Sequence, residues 1–216
     1  MDKTLRDFNE FLVEYNKNVN LTAHKTIEDS ALFNIEDSLL FVGFMREILL
    51  DNVSCVDIGS GCGCPAIPLA VSFPKTKWTM VDSIGKKVDF LNAAVEKCKI
   101  TNARAIKSRI EDLAKDNEKK FDVLTARAVA NLPTLLEYAL PLLKVGGVAL
   151  LYKGVSAEEE INQSKRALSV LGGEVIRVLK ANLTPEIERT LIVVKKVKPT
   201  PSGYPRGGNK PRLSPL

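Results

Sequence analysis

The first fifty residues carry apolar side chains at helical spacing. Leu5, Phe8, Leu12, Tyr15 and Val19 recur every three or four positions, which predicts an amphipathic helix with one buried face. A second helix is predicted from the apolar residues between positions 35 and 49. We therefore expect residues 1–50 to form a helical extension that packs against the main body of the protein.

From position 53 onward, short apolar runs alternate with helical stretches. Five runs predict strands, at residues 53–58, 78–81, 103–106, 121–125 and 148–152. Helices are predicted between and after them, at residues 67–72, 86–99, 132–143 and 157–171. This alternation predicts a parallel sheet that is covered on both faces by helices.

Two further strands are predicted at residues 174–179 and 189–197. Only about nine residues separate them, too few for a helical crossover, so they should pair antiparallel. The 216 residues, 45% of them hydrophobic, are enough for a sizeable core. We expect an α/β domain over residues 51–197, with a seven-stranded, mostly parallel sheet whose last strand is antiparallel.

Positive charge is concentrated at the end of the chain. The protein has 31 Lys and Arg against 26 Asp and Glu, a net charge of +5. Six basic residues and no acidic one follow position 194: Lys195, Lys196, Lys198, Arg206, Lys210 and Arg212. The segment is also rich in Pro, Gly and Ser, so residues 198–216 are expected to form a basic tail that is mobile until it meets a polyanion such as RNA. A tail that only improves solubility is the alternative.

Composition also excludes several classes of protein. There is no run of about eighteen apolar residues and no apolar secretion signal at the start, so we expect no membrane association and a cytoplasmic location. Four cysteines without a regular framework fit a reducing compartment. No metal is expected, because Cys62 and Cys64 lack the spacing of a zinc site and His24 is the only histidine.

The richest local motif follows the first predicted strand and reads Gly59-Ser60-Gly61-Cys62-Gly63-Cys64-Pro65. Alternate glycines leave the backbone bare where a ligand can approach, and the proline suits the start of a helix. At the end of the next strand, Asp82 is placed to accept hydrogen bonds from a ribose diol. Together these features favour a nucleoside cofactor. The alternatives are a tight turn without a ligand and a solvated strand end.

The spacing of the loop separates the candidate cofactors. Dinucleotide-binding loops read G-x-G-x-x-G, whereas this loop reads G-x-G-x-G with Asp57 two residues ahead of it. That arrangement, with the terminal antiparallel hairpin, resembles the Rossmann-like class I S-adenosylmethionine-dependent methyltransferases. Such a fold does not by itself choose the methyl acceptor.

The residues after the fourth strand bear on the acceptor. Enzymes that methylate exocyclic base amines resemble one another in an Asn/Asp-Pro-Pro-aromatic box at this place, and those that methylate pyrimidine carbon have a nucleophilic cysteine there. Residues 122–131 contain neither. A ring nitrogen such as guanine N7 has its own lone pair, so its methylation requires neither a base nor a covalent intermediate.

Longer segments resemble one family of these enzymes, the small-subunit 16S rRNA guanine-N7 methyltransferases, also called glucose-inhibited division protein B. The resembling segments extend over nearly the whole chain, at residues 18–23, 37–39, 59–69, 82–88, 125–130, 144–147 and 188–206. The most specific are Asn20-Leu21-Thr22-Ala23 and the six residues from Thr125 to Ala130. The resemblance implies S-adenosyl-L-methionine as cofactor, 16S rRNA of the small ribosomal subunit as partner, and methylation of one guanine N7 in a loop near the decoding site. A monomer is expected.

The resemblance also implies roles for individual residues. The predicted cofactor-binding set comprises the loop residues Gly59, Ser60, Gly61, Gly63 and Cys64, the ribose-binding residues Asp82, Ser83 and Ile84, and the adenine-binding residues Ile110 and Glu111. Arg127 would position cofactor and acceptor, and no general base is expected. There are departures from the family pattern: Asn34 stands in place of a usual His, Glu36 in place of an apolar residue, and Cys64 in place of Leu or Phe.

Several alternatives stay open at this point. Arg127 can bind the cofactor carboxylate or an rRNA phosphate, or it can pair with a protein acid such as Asp57. Lys86 and Lys87 open a helix beside the expected cleft, where they either steer RNA or are only solvated. Rival functions are a methyltransferase for a small molecule or a protein, a nucleotide-binding oxidoreductase, and a binding protein that keeps the fold without activity.

Overall fold

The computed structural model describes residues 1–115 and 120–216. It divides into two compact units, Met1–Ser108 and Arg109–Leu216. This boundary differs from the segments that the composition suggests, residues 1–50, 51–197 and 198–216, which remain predictions.

The first unit begins with the expected amphipathic helix, α1 (Lys3–Asn16), which buries Leu5, Phe8 and Leu12. The side chain of Asp2 caps it by accepting a hydrogen bond from the Thr4 N–H at 2.8 Å. The second predicted helix is instead a chain of short turns: α2 (Ile27–Ser30), a π-helical turn (Ala31–Glu36), α3 (Asp37–Leu39) and α4 (Val42–Met45).

The rest of the first unit alternates strands and helices as predicted. It contains β1 (Ser54–Ile58), α5 (Ala66–Ser72), β2 (Lys77–Asp82), α6 (Gly85–Lys97) and β3 (Ala103–Lys107). Strand β2 lies between β1 and β3 and is parallel to both. Trp78 is buried in β2 and its indole N–H donates to the Thr76 hydroxyl at 2.7 Å, so this ring is part of the core.

The second unit contains the remaining strands and helices. In chain order these are α7 (Ile110–Lys115), β4 (Phe121–Arg127), α8 (Leu132–Ala139), β5 (Leu143–Lys153), α9 (Ala157–Gln163), α10 (Lys165–Leu171), β6 (Gly173–Thr184), β7 (Ile187–Lys196) and α11 (Lys210–Leu213). Strand β5 is parallel to β4 and antiparallel to β7, and β7 pairs antiparallel with β6.

The seven strands form one sheet in the order β3-β2-β1-β4-β5-β7-β6. This confirms the predicted seven-stranded, mostly parallel sheet with its antiparallel end. The hairpin of β6 and β7 is longer than predicted, because Thr184 already pairs with Ile187. Polar residues such as Lys180 and Asn182 extend β6 at the edge of the sheet, where the hydrophobic pattern alone did not indicate a strand.

One predicted helix is shorter than expected and another is divided in two, each for a local reason. The helix predicted at 132–143 ends at Ala139, and a 3-10 turn containing Pro141 leads directly into β5. The helix predicted at 157–171 is interrupted at Ser164, which is fully buried and donates its hydroxyl to the Glu160 carbonyl at 2.7 Å.

The basic tail is not the featureless segment that its composition suggests. Arg206 forms a bidentate ion pair with the fully buried carboxylate of Glu137 on α8, with Nε 2.9 Å from Oε1 and Nη2 2.7 Å from Oε2. The Arg206 backbone N–H donates to the same carboxylate at 2.8 Å. Pro211 is buried, and its carbonyl accepts the Thr134 hydroxyl at 2.8 Å. The tail therefore contacts α8 through Arg206 and Pro211, whereas its composition predicts a segment that is mobile until it meets a polyanion.

Candidate active site

The glycine loop leaves β1 through three residues in the left-handed region. Gly59, Gly61 and Gly63 have φ of 66°, 53° and 85°, a conformation that other residues adopt only at a cost. The three glycines do not all serve the same purpose. A Cβ on Gly61 would meet only the Gly59 carbonyl, at 3.7 Å, so the space beside Gly61 is open.

Gly63 has a packing role that the sequence does not indicate. A Cβ at this position would lie 2.7 Å from Cδ1 of Ile67 on α5 and 3.0 Å from Cδ2 of Leu91 on α6. Its bare backbone is therefore required for close packing of the loop on two helices. This packing accounts for the glycine without a ligand, and a cofactor contact of the Gly63 backbone stays a prediction.

Ser60 connects the loop to the neighbouring strand. It is buried, its hydroxyl donates to the Asp57 carbonyl at 2.9 Å, and the same oxygen accepts the Val81 N–H at 3.0 Å. Its own N–H donates to the Val81 carbonyl at 3.0 Å. The Ser60 side chain thus holds the loop in register with the end of β2, where Asp82 lies.

Asp82 organises the edge of the loop. Its Oδ2 accepts the Gly61 N–H at 3.0 Å, and its Oδ1 accepts the Ile84 N–H at 2.9 Å. A carboxylate can accept about four hydrogen bonds, so each oxygen retains a lone pair for a further donor. Ser83 and Ile84 follow at the surface, and Ile84 leaves 51% of its area exposed beside this acceptor.

Asn34 connects the helical extension to the glycine loop, a role that sequence reasoning did not assign. It is buried, its amide donates to the Ser30 hydroxyl at 3.1 Å, and its Oδ1 accepts the Thr22 hydroxyl at 3.5 Å. The same oxygen lies 3.9 Å from Sγ of Cys62, which donates to it. The side chain that departs from the family pattern therefore joins the Asn-Leu-Thr-Ala segment to the loop. Cys64, two residues further on, is buried as well.

The second unit carries the other predicted site residues. Ile110 and Glu111 form the first turn of α7 and are half-buried. Arg127 is half-buried at the last position of β4. The next residue, Ala128, has a φ of 58°, which is uncommon for a residue with a side chain and is found at functional turns.

A buried ion pair that no local sequence pattern indicates supports the turn after Arg127. Nζ of Lys153, at the end of β5, lies 2.6 Å from Oε2 of Glu160 and 2.7 Å from the Ala130 carbonyl. The same Glu160 oxygen accepts the Leu132 N–H at 2.6 Å. Burial alone would raise the pKa of Glu160, but the hydrogen bond and charge of Lys153 outweigh it and hold that pKa below its ordinary value.

The predicted RNA-contacting residues fall into two groups. Lys86, Lys195, Lys198, Lys210 and Arg212 are exposed, and Lys87 is half-buried. Lys196 and Arg206 differ from this expectation. The Lys196 side chain is buried and donates to the Leu171 carbonyl, and Arg206 is committed to Glu137. Arg206 is therefore neutralised by an ion pair, and Lys196 points into the protein and not to the solvent.

Residues 1–115 and 120–216 contain no cluster of three His, Cys, Asp or Glu side chains that could hold a metal ion. No helix in this part of the chain has the length and apolar character needed to cross a membrane.

Comparison with known proteins places this architecture. The family model described as rRNA small subunit methyltransferase G matches residues 1–192. The ribosomal RNA small subunit methyltransferase G of Desulfitobacterium hafniense is 42% identical over 208 residues, which cover 95% of this chain and 85% of that protein.

Two solved structures share the fold. A mutant of MtNAS in complex with S-adenosylmethionine aligns with a TM-score of 0.63 at 14% identity, covering 88% of this chain and 73% of the other. The ribosomal protein L11 methylase of Lactobacillus delbrueckii aligns with a TM-score of 0.59 at 17% identity, covering 76% and 80% of the two chains. The solved structures support the class I methyltransferase fold, and the sequence match over nearly the whole chain shows the family. The chain belongs to the rRNA small subunit methyltransferase G family.

Proposed function

We propose that this protein transfers a methyl group from S-adenosylmethionine to N7 of one guanine in 16S rRNA of the small ribosomal subunit. The observation that carries the proposal is the family match over residues 1–192, with a relative that is 42% identical over 95% of the chain. Family membership makes the protein an S-adenosylmethionine-dependent rRNA methyltransferase. The atom and the nucleotide are the finer part of the proposal.

The residues of the first unit fit this cofactor. The open space beside Gly61 admits a ligand close to the backbone, whereas the space beside Gly63 is filled by the protein. Both oxygens of Asp82 are fixed by backbone N–H groups and retain lone pairs for the two hydroxyls of a ribose. Ile84 offers an exposed apolar surface next to that carboxylate. We assign Gly59, Gly61, Asp82, Ser83 and Ile84 to cofactor binding.

Three other residues of the loop, Ser60, Gly63 and Cys64, are buried and pack against the protein interior. The described contacts of the Ser60 side chain are with the protein backbone. We propose that these residues act through the shape of the loop. By position in the family pattern, Ile110 and Glu111 are proposed to hold the adenine.

The chemistry at N7 fits the residues after β4. Bound S-adenosylmethionine would supply an electrophilic methyl carbon on its sulfonium. The guanine N7 lone pair needs no deprotonation, and residues 127–131, Arg-Ala-Val-Ala-Asn, contain no carboxylate, histidine or cysteine that would act as a base or nucleophile. The task of this segment is then alignment of the reacting groups. We assign Arg127 to that positioning, and the Lys153–Glu160 pair to holding the turn that follows it.

RNA binding is proposed for the exposed cations. Lys86 and Lys87 lie in the first turn of α6, next to Asp82, and Lys195, Lys198, Lys210 and Arg212 present charge from the end of the chain. Phosphate contacts of this kind give affinity without base specificity and depend on salt. We propose that the protein acts as a monomer in the cytoplasm, where its four buried cysteines would remain reduced thiols.

Transfer of a tritiated methyl group tests the function. Purified small ribosomal subunits that lack the modification should accept label, and free nucleosides or protein substrates should not. Calorimetry should detect S-adenosylhomocysteine and not NAD. Label in a small molecule, or binding of NAD alone, would refute the proposal.

The Asp82→Asn variant tests the cofactor site in the same assay. Loss of a charged acceptor for a ribose hydroxyl should raise KM for S-adenosylmethionine about 10- to 100-fold, since such a hydrogen bond contributes about 1.5–3 kcal/mol. Asp89→Asn is the matched control, because Asp89 is an exposed carboxylate on α6 and its loss should leave KM unchanged. Equal KM values for the two variants would contradict the role of Asp82.

A further inference from the structure

A cavity of about 690 Å³ lies in the second unit, away from the residues assigned to catalysis. Its walls include Lys120, just before β4, Lys144 at the start of β5, and residues 199–205 of the tail. Arg127 lies at the opposite end of β4, and a strand of seven residues spans roughly 20 Å. The cavity therefore opens at the edge where the parallel strands of this unit begin, whereas Arg127 lies where they end.

Four lysines line this cavity, and two of them are paired at the surface. Lys115 lies 3.0 Å from Asp112, and Lys144 lies 2.7 Å from Asp122. These ion pairs are largely exposed to solvent, so their charges are well screened.

The other two lysines donate to neutral oxygens. Nζ of Lys120 donates to the Pro141 carbonyl, and Nζ of Lys196 donates to the Leu171 carbonyl at 2.7 Å and to the Thr200 hydroxyl. Within residues 1–115 and 120–216, neither amine has a carboxylate within 4.0 Å. Each ammonium group has three N–H donors, so Lys120 has two left and Lys196 has one.

Two such ammonium groups in one cavity are electrostatically unfavourable without an anion. Lys196 is only 2% exposed. Burial, and then the charge of Lys120, lower the pKa of Lys196 to about 8. Burial also lowers the pKa of Lys120. A dianion between the two amines would offset both the desolvation and the mutual repulsion.

We propose that this cavity is a phosphate-binding site, in which Lys120 and Lys196 donate to the oxygens of a phosphate group. A phosphate offers several acceptor oxygens and a charge that matches two ammonium groups, and lysine binds phosphate as a point charge. The volume lies within the range of sites that hold a nucleotide-sized ligand. The phosphate can belong to a nucleoside monophosphate or to an RNA backbone, and the site contains none of the residues assigned to methyl transfer.

Calorimetric titration of the whole protein tests this site with three probes: inorganic phosphate, adenosine 5′-monophosphate, and a single-stranded RNA of ten nucleotides. Adenosine serves as the probe without phosphate. The variants are Lys120→Gln and Lys196→Met, with Lys165→Gln as the control. Lys165 is an exposed residue on α10 that is not in the cavity wall, so its loss changes the net charge equally. Circular dichroism checks that each variant is folded, and Lys120→Gln is the milder change, since Lys120 is the less buried of the two.

The expected result is binding of a phosphate-bearing probe that weakens at least about tenfold in both cavity variants and is unchanged in Lys165→Gln. Adenosine should not bind. If the monophosphate binds and the affinity for RNA is unchanged by the cavity substitutions, the ligand is a small molecule. RNA binding that depends on Lys120 and is displaced by inorganic phosphate identifies an RNA backbone. No binding of any probe, or equal losses in all three variants, would overturn the proposal.

Discussion

Removing the Arg206 guanidinium should release the tail from the second unit. Glu137 is fully buried, and Arg206 supplies its four described hydrogen bonds, three from the guanidinium and one from the backbone. Breaking a buried pair from one side costs about 3–5 kcal/mol, because a charge is left without compensation. The Arg206 side chain is 27% exposed, and an undocked tail would let water reach Glu137. We therefore expect Arg206→Met to lower the free energy of unfolding by about 3 kcal/mol.

Urea denaturation and thermal unfolding measure this change. A loss of about 3 kcal/mol corresponds to a fall in Tm of roughly 6–12 °C for a chain of this size. Glu137→Gln should be milder, because it leaves a partly solvated arginine and no buried carboxylate. The double variant Glu137→Gln/Arg206→Met should lose less stability than the sum of the two single losses, because it leaves no unpaired charge at this site.

Hydrogen exchange followed by mass spectrometry distinguishes release of the tail from general destabilisation. Peptides from residues 198–216 should lose protection in Arg206→Met at urea concentrations where the strands remain protected. Asp51→Asn is the control, because it removes an exposed carboxylate that pairs with Lys75 at the surface and should change little. If Arg206→Met matches that control in both stability and exchange, the tail is not held by this ion pair.

Three further predictions concern single residues. Gly63→Ala should destabilise the protein by about 1–3 kcal/mol more than Gly146→Ala. Both glycines have positive φ, but only a Cβ at position 63 would lie 2.7 Å from another side chain. Chemical denaturation compares the two variants, and equal losses of stability would contradict the packing role. The pKa of Glu160 is lowered from 4.5 in the folded state, so the carboxylate stabilises the fold above that pH and this contribution is lost as the pH falls. In Glu160→Gln, the free energy of unfolding should depend less on pH in acid, and kcat should be lower with little change in cofactor affinity. A variant whose stability has the wild-type dependence on acid pH would refute this. The pKa of Lys196 is lowered from 10.5 to about 8, so the unfolded chain binds more protons between these two pH values. The free energy of unfolding should therefore rise with pH across this range, by up to about 3 kcal/mol. Urea titrations should show a smaller rise in Lys196→Met, and an identical rise would show that another group causes it.

The sequence predicted the strands and the ligand loop because both depend on local patterns. Continuous apolar runs indicated β1 to β5, and the spacing G-x-G-x-G, in place of G-x-G-x-x-G, indicated the type of loop. The acidic residue at the end of β2 was expected from its distance along the chain, and the structure fixes it on the loop through the Gly61 N–H. The roles assigned to Ile110, Glu111 and Arg127 remain predictions.

The features that the sequence could not reveal are contacts between distant residues. Glu137 and Arg206 are 69 positions apart, and the composition around Arg206 is that of a mobile tail. Lys196 was counted as a surface cation, since a run of lysines at the end of a strand carries no sign of which one points inward. Gly63 looked like a ligand-facing glycine, because its neighbours Ile67 and Leu91 come together only after α5 and α6 have packed. Burial by tertiary structure, which no local pattern encodes, decided each of these cases.

Mapping of the modified nucleotide tests the central claim most directly. Small ribosomal subunits without the modification are incubated with the protein and S-adenosylmethionine, the rRNA is cleaved chemically at N7-methylguanine, and primer extension locates the break. We expect a single new stop at one guanine of 16S rRNA, present with the wild-type protein and Asp89→Asn and strongly reduced with Asp82→Asn at low cofactor concentration. Incorporation of methyl groups without cleavage at any guanine would contradict it.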